Sequence, residues 1–462
     1  MTELTELVGS WMRRQRWYST KAVEPRLRLL GSFELERAPE TADDGSRIVT
    51  YFFCDDAPRT PRVYQVPLVA RVRRDGDPAG FVGEAGGRCL YDGPVEEAYV
   101  AALAALMTGA GRADGEHARS TGHSLGARIP VHSSRRLSAE QSNTSIVAEI
   151  DDGVLTLVKV FRVVQDGENP DISTLAALTA GGSERTPALL GWLSGSWPGP
   201  DADDGMATGE LALMQDFVPG AEDGWELAVS AAERGEDFTE RAFALGAGTA
   251  ELHRLLAAVL PSRPAEAGDV RAALDGMFRR LTITTTEVPE VEELRAAIAT
   301  VYEAAAAAPL PVLQRIHGDL HLGQVLYSSD RGWQFIDFEG EPLRPLAERA
   351  LPDATMRDVA GMLRSFDYVA GSLARREPPV DARAWAADAR EAYLDGYASV
   401  AGDVLHEFAD LLTAFELDKA VYEITYEARH RPSWIPIPRA AVERLLDDAH
   451  GFTPRTGSRR AG

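Results

Sequence analysis

Residues 315–326 read RIHGDLHLGQVL, and residues 333–340 read WQFIDFEG. In each stretch a short apolar run of strand type is followed at once by polar residues. The first run leads to Asp319, an amide at Gln324 follows five residues later, and the second run ends at Asp337. We interpret the pair as two strands that flank a polar turn and bring two carboxylates and one amide together.

This spacing is that of a kinase-type catalytic loop. In such a loop one Asp orients or deprotonates the acceptor hydroxyl, while an amide and a second Asp hold magnesium on the nucleotide phosphates. Mg²⁺ is a hard cation that prefers oxygen ligands. We therefore predict Asp319 as the base, Gln324 and Asp337 as metal ligands, and His317 as a residue that holds the loop. The alternative is a buried hairpin with incidental polar residues.

Composition excludes several other classes of protein. The chain has 462 residues, a formal net charge of −23 and 45% hydrophobic residues, so it is long enough for about two to four domains. The acidic excess argues against binding to nucleic acid or to an anionic membrane. Cys54 and Cys89 have no Cys-x-x-Cys spacing, and no signal-peptide core or long apolar run occurs. We expect a cytoplasmic protein without disulfides, a Cys-based zinc site or a membrane segment.

Lysine is rare in this chain. The sequence has 45 arginines but only three lysines, Lys21, Lys159 and Lys419. Where any cation would serve, such a chain is expected to use Arg, so each Lys indicates a position that needs a compact ammonium group.

The order of elements is strands first and helices later. Strand patterns occupy residues 26–72, 129–132, 146–161 and 209–218, with a hairpin turn at 151–153, a helix at 95–107 and a loop at 109–126. After residue 220 we predict helices at 227–260, 270–281, 291–307, 384–398, 404–426 and 439–449. Histidines 117, 123 and 132 have spacings that fit no metal-ligand pattern, so we predict no metal site there.

These features together resemble the maltokinases of actinobacteria, a group in the aminoglycoside-phosphotransferase-like branch of the protein-kinase-like fold. The resemblance spans nearly the whole chain. Besides the two loops, its motifs are RQRWY at 14–18, EQSNTS at 140–145, KVFR at 159–162, NPDI at 169–172, RDVAGM at 357–362 and the run from 418 to 434.

The resemblance implies an α+β, two-lobed protein-kinase-like fold. Its parts would be a β-rich N-terminal cap at 1–126, a nucleotide-binding N-lobe at 127–218, and a mainly helical C-lobe at 219–462 that carries the catalytic loop and the sugar site. Trp17 and Tyr18, with Arg16, would pack within the cap. Asp358 would support the catalytic loop from a helix.

The resemblance also implies ATP and Mg²⁺ as cofactors. Lys159 would contact the α- and β-phosphates. A polar loop would cover the phosphates; its residues are Ser142, Asn143, Thr144 and Ser145. The backbone at the hinge between the lobes would contact the adenine edge; its residues are Gln215, Phe217 and Val218. From the residues alone, the first segment could equally be an ordinary turn, and the second could equally be the end of a strand.

One position departs from the family pattern. Maltokinases continue the Asn-Pro-Asp-Ile run with a Glu that pairs with the phosphate-binding Lys, whereas this chain has Ser173. Either Asp171 or another acid replaces that Glu, or the nucleotide binds differently.

The acceptor pocket is implied by the C-terminal run. Its candidates, with His321 from the catalytic loop, are Asp418, Tyr422, Glu423 and Trp434. Tyr422 and Tyr426 share one helix face, and sugar sites combine carboxylates with an aromatic ring in this way. An amphipathic surface helix with a packed Trp is the alternative.

The activity implied is ATP-dependent phosphorylation of maltose to maltose 1-phosphate for α-glucan synthesis. The nearest rival is a kinase for glucosamine or an aminoglycoside, since Asp418 and Glu423 would suit an ammonium group. A catalytically weak, kinase-like sugar-binding module is a third reading, motivated by Ser173. The family includes fusions to trehalose-processing enzymes, which implies association with such a partner.

Overall fold

The computed structural model describes residues 2–18, 23–41, 44–58, 60–72, 80–137, 143–200, 205–308, 311–341 and 344–451. The chain divides into two compact units. The N-terminal unit comprises Met1–Ala180, Pro187–Pro219 and Arg344–Glu348, and the C-terminal unit comprises Gly181–Thr186, Gly220–Leu343 and Arg349–Gly462.

The N-terminal unit is built on one large sheet. Its strands are β1 Leu27–Leu35, β2 Arg47–Asp55, β3 Arg62–Arg71, β4 Phe81–Ala85, β5 Arg88–Asp92, β6 Arg112–Glu116, β7 Arg119–Ser124, β8 Ser133–Arg136, β9 Asn143–Glu149, β10 Leu155–Phe161, β11 Val163–Val164, β12 Leu189–Pro198 and β13 Met206–Asp216. Within the described ranges the strand order is β4-β5-β3-β2-β1-β6-β7-β12-β13-β10-β9-β8, and β11 pairs with β3. One sheet therefore runs through both the expected cap and the expected N-lobe, and their boundary at residue 126 stays a prediction.

Three helices accompany this sheet, namely α1 Thr2–Met12, α2 Glu97–Thr108 and α3 Pro170–Ala180. The core beneath α2 includes Phe52 and Trp197, whose rings stack 5.1 Å apart. A second core forms around α1, where Trp17 and Tyr18 are buried and the Tyr18 hydroxyl donates to Asp55 at 2.7 Å. This confirms packing for both aromatics, whereas Arg16 is exposed.

The remainder of the chain is mainly helical. Its elements are β14 Glu222–Asp223, α4 Gly224–Arg234, α5 Thr239–Val259, β15 Arg263–Pro264, α6 Ala267–Glu287, α7 Arg295–Ala306, β16 Val312–Leu313, β17 Val325–Ser328, β18 Gly332–Phe335, α8 Leu346–Arg349, α9 Met356–Leu373, α10 Arg383–Ala401, α11 Val404–Glu407, α12 Ala409–His430 and α13 Pro436–Gly451. Strands β14, β17 and β18 form one small sheet, and β15 pairs with β16.

Several predicted elements are corrected by the structure. The expected loop at 109–126 contains the hairpin β6–β7, and the expected strand at 129–132 is β8 at Ser133–Arg136. The single helix predicted at 227–260 is two helices, because Gly235 adopts φ +66° and ends α4. The turn at 151–153 is confirmed: Asp152 and Gly153 both have positive φ, and β9 and β10 pair around them.

Cys54 and Cys89 are both buried free thiols. Among the described residues, none of the helices has the length and apolar content that crossing a membrane requires.

Candidate active site

The catalytic loop is held by a buried carboxylate on α9. Asp358 is 1% exposed and accepts hydrogen bonds from the backbone N–H of His317 at 2.8 Å and of Gly318 at 2.9 Å. It also contacts His253 Nε2 at 3.0 Å. Burial alone would raise the pKa of Asp358, but its hydrogen bond and electrostatic interaction with His253, with the loop contacts, outweigh burial and lower it. Asp358 therefore fixes the chain immediately before Asp319, as the sequence predicted.

His317 ties the two quoted stretches together. Its Nε2 contacts the carbonyl oxygen of Ile336 at 2.9 Å, and its ring packs on Phe338 with centroids 4.7 Å apart. The Nδ1 atom accepts a hydrogen bond from the Asp319 N–H at 3.4 Å. Since one ring nitrogen faces an acceptor and the other a donor, the neutral tautomer with a proton on Nε2 satisfies both. The structure supports the structural role predicted for His317.

The predicted metal ligands lie side by side within the C-terminal unit. The Gln324 amide nitrogen is 3.3 Å from Asp337 Oδ2, and the Ile336 N–H donates to the Gln324 carbonyl oxygen at 3.0 Å. Asp337 has φ +65°, a conformation that costs a non-glycine residue free energy and that concentrates at functional sites. Both side chains carry oxygen atoms of the kind that Mg²⁺ prefers, and a metal here would need the Gln324 amide turned so that its oxygen, rather than its nitrogen, is on the Asp337 side. Their role as metal ligands remains a proposal.

His321 lies near this pair and is held by its own turn. Its Nδ1 accepts from the Gly323 N–H at 3.0 Å, and burial lowers the pKa of its ring. His321 is therefore a neutral residue near Asp319, and the contact expected between it and the sugar stays a prediction.

In the N-terminal unit, Lys159 pairs with Asp171. Lys159 lies on β10, Asp171 lies in the first turn of α3, and their Nζ and Oδ2 atoms are 3.2 Å apart. Both residues are buried. Residues two apart on a helix point to different sides, so Ser173 cannot occupy the same place as Asp171. Asp171 therefore pairs with Lys159, and its taking the place of the family Glu stays a prediction.

Three of the four residues predicted for the phosphate loop lie in a strand. Asn143, Thr144 and Ser145 begin strand β9, while Ser142 lies outside the described residues. The Thr144 hydroxyl accepts from the Nε of Arg162 at 2.8 Å, and Arg162 forms two 2.8 Å contacts with Asp92. The loop assignment is therefore wrong for these three residues, because ladder pairing extends β9 to residue 143. The Thr144 hydroxyl therefore supports the buried ion pair of Arg162 and Asp92.

The hinge candidates lie at the end of β13 and just after it. Gln215 is paired on both sides, with Leu157 of β10 and Leu189 of β12. The Phe217 N–H donates to the Leu155 carbonyl oxygen at 3.3 Å, so it is already used within the sheet. The roles of Gln215, Phe217 and Val218 at the adenine therefore stay predictions.

A narrow cleft opens beside Asp319 in the C-terminal unit. It has a volume of about 20 Å³, room for about one water molecule. Its lining residues are Arg280, Gly318, Asp319, Leu320, Glu341, Arg357, Gly361, Phe415, Asp418, Lys419 and Tyr422.

Asp418 and Glu423 are both engaged by arginine. Asp418 binds Arg280 through both carboxylate oxygens, with Nε at 2.8 Å. Glu423 is 13% exposed and accepts from Arg364 at 2.8 and 3.0 Å. Glu423 does not line the cleft, because buried Arg364 draws it to the α9 side of α12. Burial raises the pKa of Glu423, although the Arg364 charge opposes that rise.

Of the two aromatic candidates, one lies at the cleft. Tyr422 lines it, and burial raises the pKa of its hydroxyl to about 12. Trp434 instead lines a second cleft with Trp225, Arg375 and others, and its ring packs under Arg431 at 4.4 Å. Among the described residues the two clefts share no lining residue. Trp434 therefore does not line the cleft beside Asp319, and its contact with the acceptor stays a prediction.

Lys419 is the site residue that motif reasoning did not select. Its Nζ lies 3.2 Å from Asp319 Oδ1 and 3.0 Å from Glu341 Oε1. The scarcity of lysine in the sequence was the signal that could have found it.

Comparisons with known proteins agree with this architecture. Residues 11–95 match the maltokinase N-terminal cap domain, and residues 188–402 match the phosphotransferase enzyme family. A glucosamine kinase of Streptacidiphilus jiangxiensis is 34% identical over 69% of this chain and 75% of its own length, and one of Mycolicibacterium smegmatis is 30% identical over 68% and 80%.

Solved structures give the same picture. A glucosamine kinase in its crystal form B has a TM-score of 0.68 at 26% identity, covering 96% of this chain and 99% of that chain. A glucosamine kinase in complex with glucosamine, ADP and inorganic phosphate has a TM-score of 0.58 at 29% identity, covering 70% and 82%. The fold is thus confirmed as a protein-kinase-like α+β fold with a β-rich N-terminal region and a helical C-terminal region. The chain belongs to the phosphotransferase enzyme family and carries its maltokinase-type cap domain.

Proposed function

We propose that this protein is an ATP- and Mg²⁺-dependent sugar kinase whose acceptor is maltose, phosphorylated at its anomeric hydroxyl to give maltose 1-phosphate. Asp319 accepts the proton of the acceptor hydroxyl, whose oxygen attacks the γ-phosphorus, and ADP leaves. When bound, Mg²⁺ neutralises charge on the nucleotide phosphates, and Gln324 and Asp337 hold it there. Lys159, set by Asp171, contacts the α- and β-phosphates.

The observation that carries the choice of a neutral acceptor is the pairing of charges along the cleft. Its carboxylates are Asp319, Glu341 and Asp418, and its cations are Arg280, Arg357 and Lys419. Asp418 is already bound by Arg280. An ammonium group on the acceptor would compete with these cations for the same carboxylates. Sugar hydroxyls instead donate to carboxylates and accept from N–H groups, so they suit a wall of paired charges.

Glucosamine is the second candidate, because the named relatives at 34% and 30% identity are glucosamine kinases. In that case the amine would have to displace Arg280 from Asp418 or Lys419 from Asp319. The use of maltose 1-phosphate in α-glucan synthesis, a trehalose-processing partner and a cytoplasmic location stay predictions.

The test is phosphorus NMR of the purified protein with ATP, Mg²⁺ and, separately, maltose, glucose or glucosamine. We expect an anomeric phosphate from maltose, recognised by its coupling to the anomeric proton. Asp319→Asn is expected to abolish the product. The exposed Asp330→Asn, the same change in the turn between β17 and β18, is the matched control and should retain activity. A phosphate on glucosamine instead of maltose would overturn the choice of acceptor and keep the kinase mechanism.

A further inference from the structure

Lys419 bridges two carboxylates at the cleft. The Lys419 ammonium contacts Asp319 on the catalytic loop and Glu341 on the segment that follows Asp337, and all three side chains line the cleft. Each is largely shielded, with side-chain exposures of 24%, 20% and 21%. The contact therefore joins α12, the catalytic loop and the segment after Asp337 through one cation.

The bridge keeps its charge although it is shielded from water. Burial disfavours an ammonium group, but the negative charges of Glu341 and Asp319 outweigh that cost, and the pKa of Lys419 is raised. Lys419 is therefore protonated throughout the neutral range. The charged or titratable groups that interact with Asp319 also include His321, Arg349 and Tyr422, and Arg280, Arg357 and Asp418 line the same cleft.

We propose that Lys419 is a positioning residue for the base: held by Glu341, its ammonium fixes one oxygen of the Asp319 carboxylate, so that the second oxygen receives the acceptor proton. The inference rests on the proposed function only for the role of Asp319. In the step served, the acceptor O–H proton passes to Asp319 while a new O–P bond forms. The bond from the γ-phosphorus to the bridging oxygen breaks, and its electron pair leaves with ADP.

The arrangement predicts shifts of opposite sign for two variants. Lys419→Met removes the cation beside Asp319, so the acidic limb of the pH profile of kcat is expected to move to higher pH by about 1 to 3 units. Glu341→Gln removes a negative charge on the same bridge and is expected to move the limb down. Lys419→Arg keeps the charge and should leave the limb near its wild-type position. If Lys419 served only in packing, the acidic limb would not shift in opposite directions in Lys419→Met and Glu341→Gln.

A titration without turnover separates this inference from the proposed function. The Asp319 side-chain carboxyl, labelled with carbon-13 and assigned by its loss in Asp319→Asn, is followed by NMR over pH in the full-length wild type and in Lys419→Met and Glu341→Gln. We expect the midpoint to rise in the first variant and to fall in the second. Equal midpoints in folded proteins would overturn the inference, whatever sugar the enzyme accepts. Absence of turnover in the wild type, with opposed midpoints, would count against the proposed function and support the bridge.

Discussion

At the scale of single residues, the acid that supports the catalytic loop is as important as the acid proposed to react. Asp358 accepts two backbone N–H groups and faces His253 inside the core. Only an ionised carboxylate offers hydrogen-bond acceptors at once to both backbone N–H groups and to the His253 ring. The amide of Asn would place an NH₂ group against some of these donors.

Asp358→Asn is therefore expected to lower the free energy of unfolding by about 1–3 kcal/mol at pH 7. Because the pKa of Asp358 is lowered in the folded state, its contribution is complete above the unfolded pKa of about 3.9 and is lost as the pH falls through the folded pKa. Urea unfolding of wild type and Asp358→Asn, at pH 7 and at acidic pH, measures the difference in their free energies of unfolding. If the stability difference between wild type and Asp358→Asn did not shrink at acidic pH, the stabilising role of the ionised Asp358 carboxylate would be contradicted. Asp330→Asn is the control for an Asp-to-Asn substitution at an exposed position.

The Lys159–Asp171 pair carries a second prediction. Asp171→Asn removes the carboxylate that orients Lys159, so the KM for ATP is expected to rise roughly tenfold, the equivalent of one charge-assisted hydrogen bond. Ser173→Ala, two residues along the same helix, is the matched control and should leave KM unchanged. Steady-state kinetics with varied ATP decides the matter, and an equal effect of both variants would reject Asp171 as the partner.

Residue identities could be predicted from sequence where chemistry fixes both type and spacing. Asp319, Gln324 and Asp337 lie close in the chain, and the structure brings Gln324 and Asp337 side by side in the unit that also holds Asp319. Glu423 could not be placed, because the pattern of α12 does not reveal that Arg364 lies across from Glu423 on α9. Partners distant in sequence decide which acids of a helix face a cleft.

At the scale of elements, helix α9 and the catalytic loop approach unusually closely. A Cβ atom at Gly361 would lie 2.5 Å from the carbonyl oxygen of Leu320, a backbone atom next to Asp319. No side chain can occupy that position unless the loop moves. Since a misplacement of about 1 Å can cost about 100-fold in rate, the glycine matters for catalysis.

Gly361→Ala is accordingly expected to lower kcat at least tenfold, with a smaller effect on the KM for ATP. Gly371→Ala, on the same helix, would meet only the side chain of Ile437 and is the control: it should cost stability and leave kcat near wild type. Kinetics and thermal unfolding of both variants separate the two effects. A normal kcat in folded Gly361→Ala would contradict the coupling.

Elements themselves could be predicted best where turn residues mark them. The Asp-Asp-Gly turn placed β9 and β10 correctly. The hairpin β6–β7 was missed because its glycines and polar residues look like a loop. They are tolerated there because Gly115 and Gly122 pack directly against backbone of β1 and α2.

At the scale of the whole molecule, fold class followed from the succession of strands and helices together with one motif. The acceptor did not follow, since it depends on how a few paired charges are arranged. Net charge is a property of the complete chain, and at −23 it implies self-repulsion in the folded state.

Salt is therefore expected to stabilise the protein. Screening of repulsion between surface carboxylates should raise the melting temperature by a few degrees between low and physiological ionic strength. Differential scanning calorimetry in sodium chloride measures it, with sucrose of equal osmolality as the control for exclusion effects. A falling melting temperature would mean that attractive ion pairs dominate the surface.

The two described lysines, Lys159 and Lys419, both sit in shielded ion pairs at proposed functional positions, while Lys21 lies outside the described residues. In most proteins an acylating reagent modifies dozens of scattered amines and reports little. In this chain the acylation rates of two lysines, read by peptide mass spectrometry, become separate sensors for the nucleotide and for the acceptor. A ligand that slows the modification of Lys159 but not of Lys419, or the reverse, would reveal its binding place without any assay of turnover.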